Sequence, residues 1–143
     1  MKKTLILVLS IVMGFMLVGC ESTKQAPEQK EVMMESIKGN ISYRQRVALP
    51  PNAVVTVTLE DVSLMDVAAK KLAQQIFTTD GTQVPFDFEL SYDANKIEVK
   101  HRYSVRATIH VNDTLRFTTD TAYQVITDES QTKQVDLNLV AVR

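Results

Sequence analysis

The 143-residue chain holds one cysteine, two histidines, four glycines, four prolines and no tryptophan. A lone thiol excludes an internal disulfide, so the fold must stand on its hydrophobic core. His101 and His110 lie nine residues apart with no cysteine near them, short of the three or four convergent ligands that zinc requires. Beyond the first twenty residues the glycines are Gly39 and Gly81, which leaves no Gly-rich phosphate cradle and no Gly-x-Ser-x-Gly elbow. Ser104 follows His101 by three positions, and on a strand that spacing points the two side chains to opposite faces. Asp87 and Glu89 would share a strand face about 7 Å apart, a spacing glycosidase pairs show and any water-facing strand with two acids also shows. Neither metal nor cofactor is expected, and no enzymatic reading has support. Sixteen basic residues against seventeen acidic ones give no basic excess for nucleic acid.

The one long apolar run comes first. Lys2 and Lys3 precede Thr4 to Val18, and Gly19 supplies a small residue at a cleavage point, the layout of a secretory signal over residues 1–19. Fifteen helical residues reach about 22 Å, short of a hydrocarbon core of roughly 30 Å. Leu17-Val18-Gly19-Cys20 resembles the bacterial lipobox, which implies that the Cys20 thiol is alkylated by diacylglycerol and, after cleavage, becomes the acylated first residue; a thiol is the strongest nucleophile available there. Membrane attachment through acylated Cys20 follows. Bacterial retention at the inner membrane uses Asp directly after the Cys. Glu21 stands there instead, and the expected location is the periplasmic face of the outer membrane rather than the inner membrane.

Residues 20–36 carry the lipidated N-terminus and a stretch, ESTKQAPEQKEVMMES, rich in Glu, Gln and Lys, which reads as a disordered tether. Val32, Met33 and Met34 interrupt it and either pack on the domain or face solvent. With the signal removed, 14 basic residues remain against 17 acidic ones, and no Lys/Arg cluster follows the anchor to grip anionic lipid. Residues 37–143 are enough for one domain.

Alternation of apolar and polar residues dominates that domain. Tyr103, Val105, Ala107, Ile109 and Val111 fall on one strand face. The same period places Val55, Val57 and Leu59 inward, then Val84, Phe86, Phe88 and Leu90, and at the C-terminus Val135, Leu137, Leu139 and Ala141. Pro50-Pro51-Asn52, Asp80-Gly81 and Asn112-Asp113 supply turns. Strands over 39–47, 53–61, 71–78, 83–90, 102–112, 114–118 and 132–142 predict an all-β fold, an antiparallel Greek-key β-sandwich of about seven strands. Ser63 and Asp66 have capping-box spacing, and the helix formers after them predict a short helical turn ending by Lys71. Tyr103 opens its strand with apolar Ile97 six residues before it, the pattern of a tyrosine corner.

The segments YRQRVALPPNAVVTVTLEDVSL, VPFDFELSYD and LRFTTDTAYQVIT resemble the YbaY and YscW family of small envelope lipoproteins, which includes the type III secretion lipoprotein chaperones, or pilotins. The resemblance covers roughly Gly39 to Thr127. It implies a lipid-anchored β-sandwich without enzymatic activity, a pilotin-like chaperone or envelope assembly factor, with a secretin or other outer-membrane protein segment as partner. Strand addition at an open sheet edge, or a helix laid in an apolar groove, would supply the contact. Val54, Val62, Phe77, Val140 and Val142 are apolar side chains at outward parity and are the candidate partner contacts, unless a neighbouring layer covers them. Two other readings stay open: a module for cell-wall or surface polysaccharide using Tyr43, Tyr92 and Tyr123 as platforms, and a structural envelope lipoprotein. Arg44, Arg46 and Arg106 either form an anion patch or pair with Asp87, Glu89 or Asp136.

Overall fold

The computed structural model describes residues 30–143. The expected signal segment, Cys20 and residues 21–29 of the expected tether lie outside the described residues. Eight strands form within them: Met34–Tyr43 (β1), Val54–Asp61 (β2), Lys70–Thr78 (β3), Phe86–Asp93 (β4), Tyr103–Val111 (β5), Thr114–Thr118 (β6), Tyr123–Val125 (β7) and Leu137–Ala141 (β8). The fold is all-β, as the alternation requires. In β4 the period is complete: Phe86, Phe88, Leu90 and Tyr92 are buried, and Asp87, Glu89 and Ser91 are exposed.

The strands follow one another in the order β3-β2-β5-β6-β8-β1-β4, and β7 pairs with β5. β6 and β7 divide one edge of β5 between them, β6 taking Thr108 to Val111 and β7 taking Tyr103 to Val105. One face of the molecule is β3-β2-β5-β6 and the other is β8-β1-β4. They meet through the short pairing of Phe117 with Ala141 and Thr118 with Val140. Between them lie twenty buried apolar side chains, with Ile37, Ile41, Val55, Val57, Leu59 and Ile109 among the fully enclosed ones, and this burial drives the folding. The sheet therefore rolls into a flattened near-barrel with sandwich-like layers.

Three details depart from the sequence reading. The pairing is mixed, because β1 and β8 run parallel with Ile41 beside Leu137 and Tyr43 beside Leu139. Residues 133–135 cross over Lys38 to reach that register: Lys38 N donates to Lys133 O and Val135 N donates to Lys38 O, each at 2.9 Å. Second, β1 begins at Met34, ahead of Ile37, because Met34, Glu35 and Ser36 continue the ladder with Asp93, Tyr92 and Ser91. Third, residues 62–69 form no helix. Ser63 is committed elsewhere: its hydroxyl donates to Asp61 Oδ1 and accepts from Arg102 N at 2.8 Å, so it is not free to cap a helix.

Turn chemistry holds where it was expected. Asn112 and Asp113 at the β5–β6 hairpin both have positive φ, the conformation tight hairpins favour, and Asp80 and Gly81 have it at the turn that leaves β3. Tyr103 is buried, and its hydroxyl accepts a 2.9 Å hydrogen bond from Glu98 N, closing the tyrosine corner.

Candidate functional site

The end strands of the sheet, β3 and β4, come side by side without pairing. Phe77 of β3 meets Phe86 of β4 edge to face, with ring centroids 5.9 Å apart. Two residues earlier on β3, Gln75 Oε1 accepts a 3.0 Å hydrogen bond from Glu89 N. A side chain thus stands where a closed barrel would have main chain. The Glu89 N–H points out of the ladder, and strand alternation turns the backbone groups of Asp87 and Ser91 the same way. The seam is a place where the backbone can accept another strand.

Beside the seam runs an open groove of about 490 Å³, bordered by Lys38, Asn40, Gln75, Asp87, Glu89 and Asp136 among others. Its charge is mostly negative. Lys38 Nζ lies 3.4 Å from Glu89 Oε1, and Asn40 Nδ2 donates to Asp136 Oδ1 at 2.7 Å. A hydrogen bond from Ser36, then that of Lys38, holds the Glu89 carboxyl below its ordinary pKa, so it stays ionised. An acidic groove next to an unpaired edge suits an extended segment carrying basic or amide side chains.

The structure does not bring the five sequence-derived contact residues together. Val54 opens β2 and Val62 follows its far end. Phe77 packs against the core at the seam rather than facing outward: β3 borders the unclosed gap, where its side chain meets Phe86. Val140 and Val142 remain partly exposed, at 37% and 43%. Their strand is no open edge, since β8 lies between β6 and β1 and Val142 N donates to Arg116 O. The seam itself escaped the sequence reading. Its one signal was Gln75, a polar residue at the inward parity of β3 between Ala73 and Phe77.

The tyrosine platforms are absent as such. Tyr43 is buried and stacks on Phe117 with centroids 4.2 Å apart. Tyr92 is buried, its hydroxyl donating to Glu35 Oε2 at 2.9 Å, and burial followed by that hydrogen bond pushes its pKa up. Tyr123 is half-buried, with its hydroxyl accepting from Asn138 N. Among the described residues no ion pair joins Arg44, Arg46 or Arg106 to Asp87, Glu89 or Asp136; Lys38 takes Glu89 and Asn40 takes Asp136.

One polar cluster remains. His101 Nδ1 lies 2.6 Å from Asp61 Oδ2 and its Nε2 lies 3.1 Å from Glu98 Oε2. The hydrogen bond with Asp61 raises the imidazole pKa. Burial pushes the Asp61 carboxyl up, but the bonds from Ser63 and His101 outweigh it and leave the pKa lowered. Both ring nitrogens face carboxylates, so no nucleophile is activated; the cluster staples the connections after β2 and before β5. Among the described residues no group of three His, Cys, Asp or Glu side chains could hold a metal ion.

A family model, the type III secretion system lipoprotein chaperone (YscW), matches residues 32–139. The chain belongs to the YscW family. It is 44% identical over 118 residues to the uncharacterized lipoprotein YbaY of Escherichia coli (strain K12), covering 82% of this chain and 61% of YbaY. The chain thus spans about 61% of the length of that curated relative. It is also similar to a solved structure, an alternative pilotin from the type II secretion system of Vibrio cholerae, at 54% identity and a TM-score of 0.76, covering 78% of this chain and 99% of the pilotin. The near-barrel with its seam is therefore built on a YscW-family domain.

Proposed function

We propose that the chain is a pilotin-like chaperone or envelope assembly factor that acts by binding rather than by catalysis. In this reading acylated Cys20 holds it on the periplasmic face of the outer membrane, and the domain receives a segment of a secretin or another outer-membrane protein. The likeness to the Vibrio cholerae pilotin, at 54% identity, carries the proposal, and the seam between β3 and β4 supplies a physical means: a segment laid there gains main-chain hydrogen bonds from the edge and charge complementarity from Asp87, Glu89 and Asp136.

The test is capture from gently solubilised envelope of the source cell, with the full chain as bait and a heat-denatured chain as control, read by mass spectrometry. A secretin or other outer-membrane subunit recovered in stoichiometric amount supports the proposal. An empty lane from folded bait sinks it and leaves a structural envelope lipoprotein.

A further inference from the structure

Seven of the eleven large hydrophobic residues exposed among the described ones gather at one end of the barrel. They sit on three neighbouring segments. Val32, Met33 and Met34 lead into β1, Leu64, Met65 and Val67 lie on the β2–β3 connection, and Val99 lies on the β4–β5 connection. Hydrogen bonds tie these segments together: Arg102 N to Ser63 Oγ, Ala94 N to Met33 O and Asn95 Nδ2 to Glu31 O. Met65 and Val99 are the most exposed, at 90% and 89%.

The same end is where the fold collects its lysines. Lys70, Lys71 and Lys96 line a single cleft of about 160 Å³, and Lys100 follows on the connection that carries Val99. The acids among these segments are Glu31, Asp61, Asp66, Asp93 and Glu98, of which Asp61 and Glu98 face His101. The next connection, 126–133, is polar and carries Asp128, Glu129 and Lys133, the last pairing with Glu35 at 2.8 Å. Apolar tips ringed by lysines on one side and a polar flank on the other are the composition of a surface that dips into a membrane interface at a tilt.

We propose that this end rests on the lipid surface, with Leu64, Met65, Val67 and Val99 in the acyl boundary and Lys70, Lys71, Lys96 and Lys100 at anionic headgroups. The proposal rests on acylation of Cys20. Where the chain enters the domain argues for lipid as the occupant. Glu31 stands at this end, and the eleven residues between Cys20 and Val32 let the chain reach at most about 40 Å even when fully extended. The opposite end presents Asp80 at the β3–β4 connection and Asp113 at the β5–β6 hairpin.

The test uses the lipidated full chain in vesicles of phosphatidylethanolamine and phosphatidylglycerol, with single spin labels attached after Met65→Cys, Val99→Cys or Asp113→Cys. Labels at 65 and 99 are expected to collide more with oxygen than with a water-soluble chromium complex, and the label at 113 is expected to show the reverse. Chromium-accessible labels at all three positions overturn the proposal. So does protection at 65 and 99 that appears when envelope protein is added, which would assign the patch to a protein partner. Flotation of the chain beside a Cys20→Ser variant reads the anchoring separately. If the unsubstituted chain does not float, the anchoring reading falls, and the labels are read with the chain held on the same vesicles by a histidine tag ahead of Glu21.

Discussion

Gly39 passes so close to Val135 that a β-carbon on it would stand 1.7 Å from the Val135 carbonyl oxygen. The atom in the way is backbone, and the 133–135 crossing that places it there sets the parallel register of β8 on β1. Gly39→Ala must push that crossing away. It is expected to destabilise the domain by about 3 kcal/mol or more, in the range of severe backbone and overpacking lesions. Urea unfolding of the variant against the unsubstituted protein checks this, and a midpoint shift within error would mean that the crossing is adjustable.

The tyrosine corner gives a smaller effect. Tyr103→Phe keeps the ring in the core and removes the acceptor of the Glu98 N–H, at a cost of about 1 kcal/mol for one lost hydrogen bond. Chemical unfolding measures it, and Tyr103→Ala should cost roughly 3 kcal/mol or more through the cavity it leaves.

The His101 cluster sets a pH window. The folded pKa of His101 is raised above its ordinary value by Asp61, so its contribution is complete below the unfolded pKa, about 6.5, and is lost as pH rises through the folded value. The folded pKa of Asp61 is lowered, so its contribution is present above the unfolded value, about 3.9, and is lost as pH falls through the folded one. Both operate together between roughly pH 4 and pH 6.5. Urea midpoints should fall on the alkaline side of this window, and His101→Gln should flatten that limb.

Partner recognition separates two surfaces. Reversing the groove charge with Asp87→Lys and Asp136→Lys is expected to reduce partner recovery about tenfold, the equivalent of some 1.4 kcal/mol, with the unfolding midpoint little changed. Val140→Asp, on a strand already paired on both sides, is expected to leave recovery intact. The opposite ranking, in a folded Val140→Asp protein, would move the contact to β8.

Local patterns were open to reading because each rests on neighbours in the chain. The alternation in β4 and β5, the turns at Asp80-Gly81 and Asn112-Asp113, and the role of Tyr103 all follow from short-range stereochemistry. What escaped depends on contacts between distant residues. Nothing near Ile41 announces a parallel partner at Leu137, and the helix formers after Ser63 yielded where its hydroxyl accepts from the amide of Arg102, 39 residues further along the chain. The lysines at 70, 71 and 96 form no run in the sequence, and folding the start of β3 against the β4–β5 connection brings them to one cleft. The seam was hidden for the same reason: which strands end a sheet is a property of topology, and Phe77 takes its inward place only once β4 lies beside β3.

The bond from Glu89 N to the side chain of Gln75 has a mechanical meaning. The seam is latched by side chains alone, the Gln75 amide and the edge-to-face contact of Phe77 with Phe86, so parting β3 from β4 breaks no rung of any ladder. Widening of the gap between the two end strands is thereby uncoupled from unfolding of the domain, because β3 and β4 can part while all eight strands keep their ladder partners.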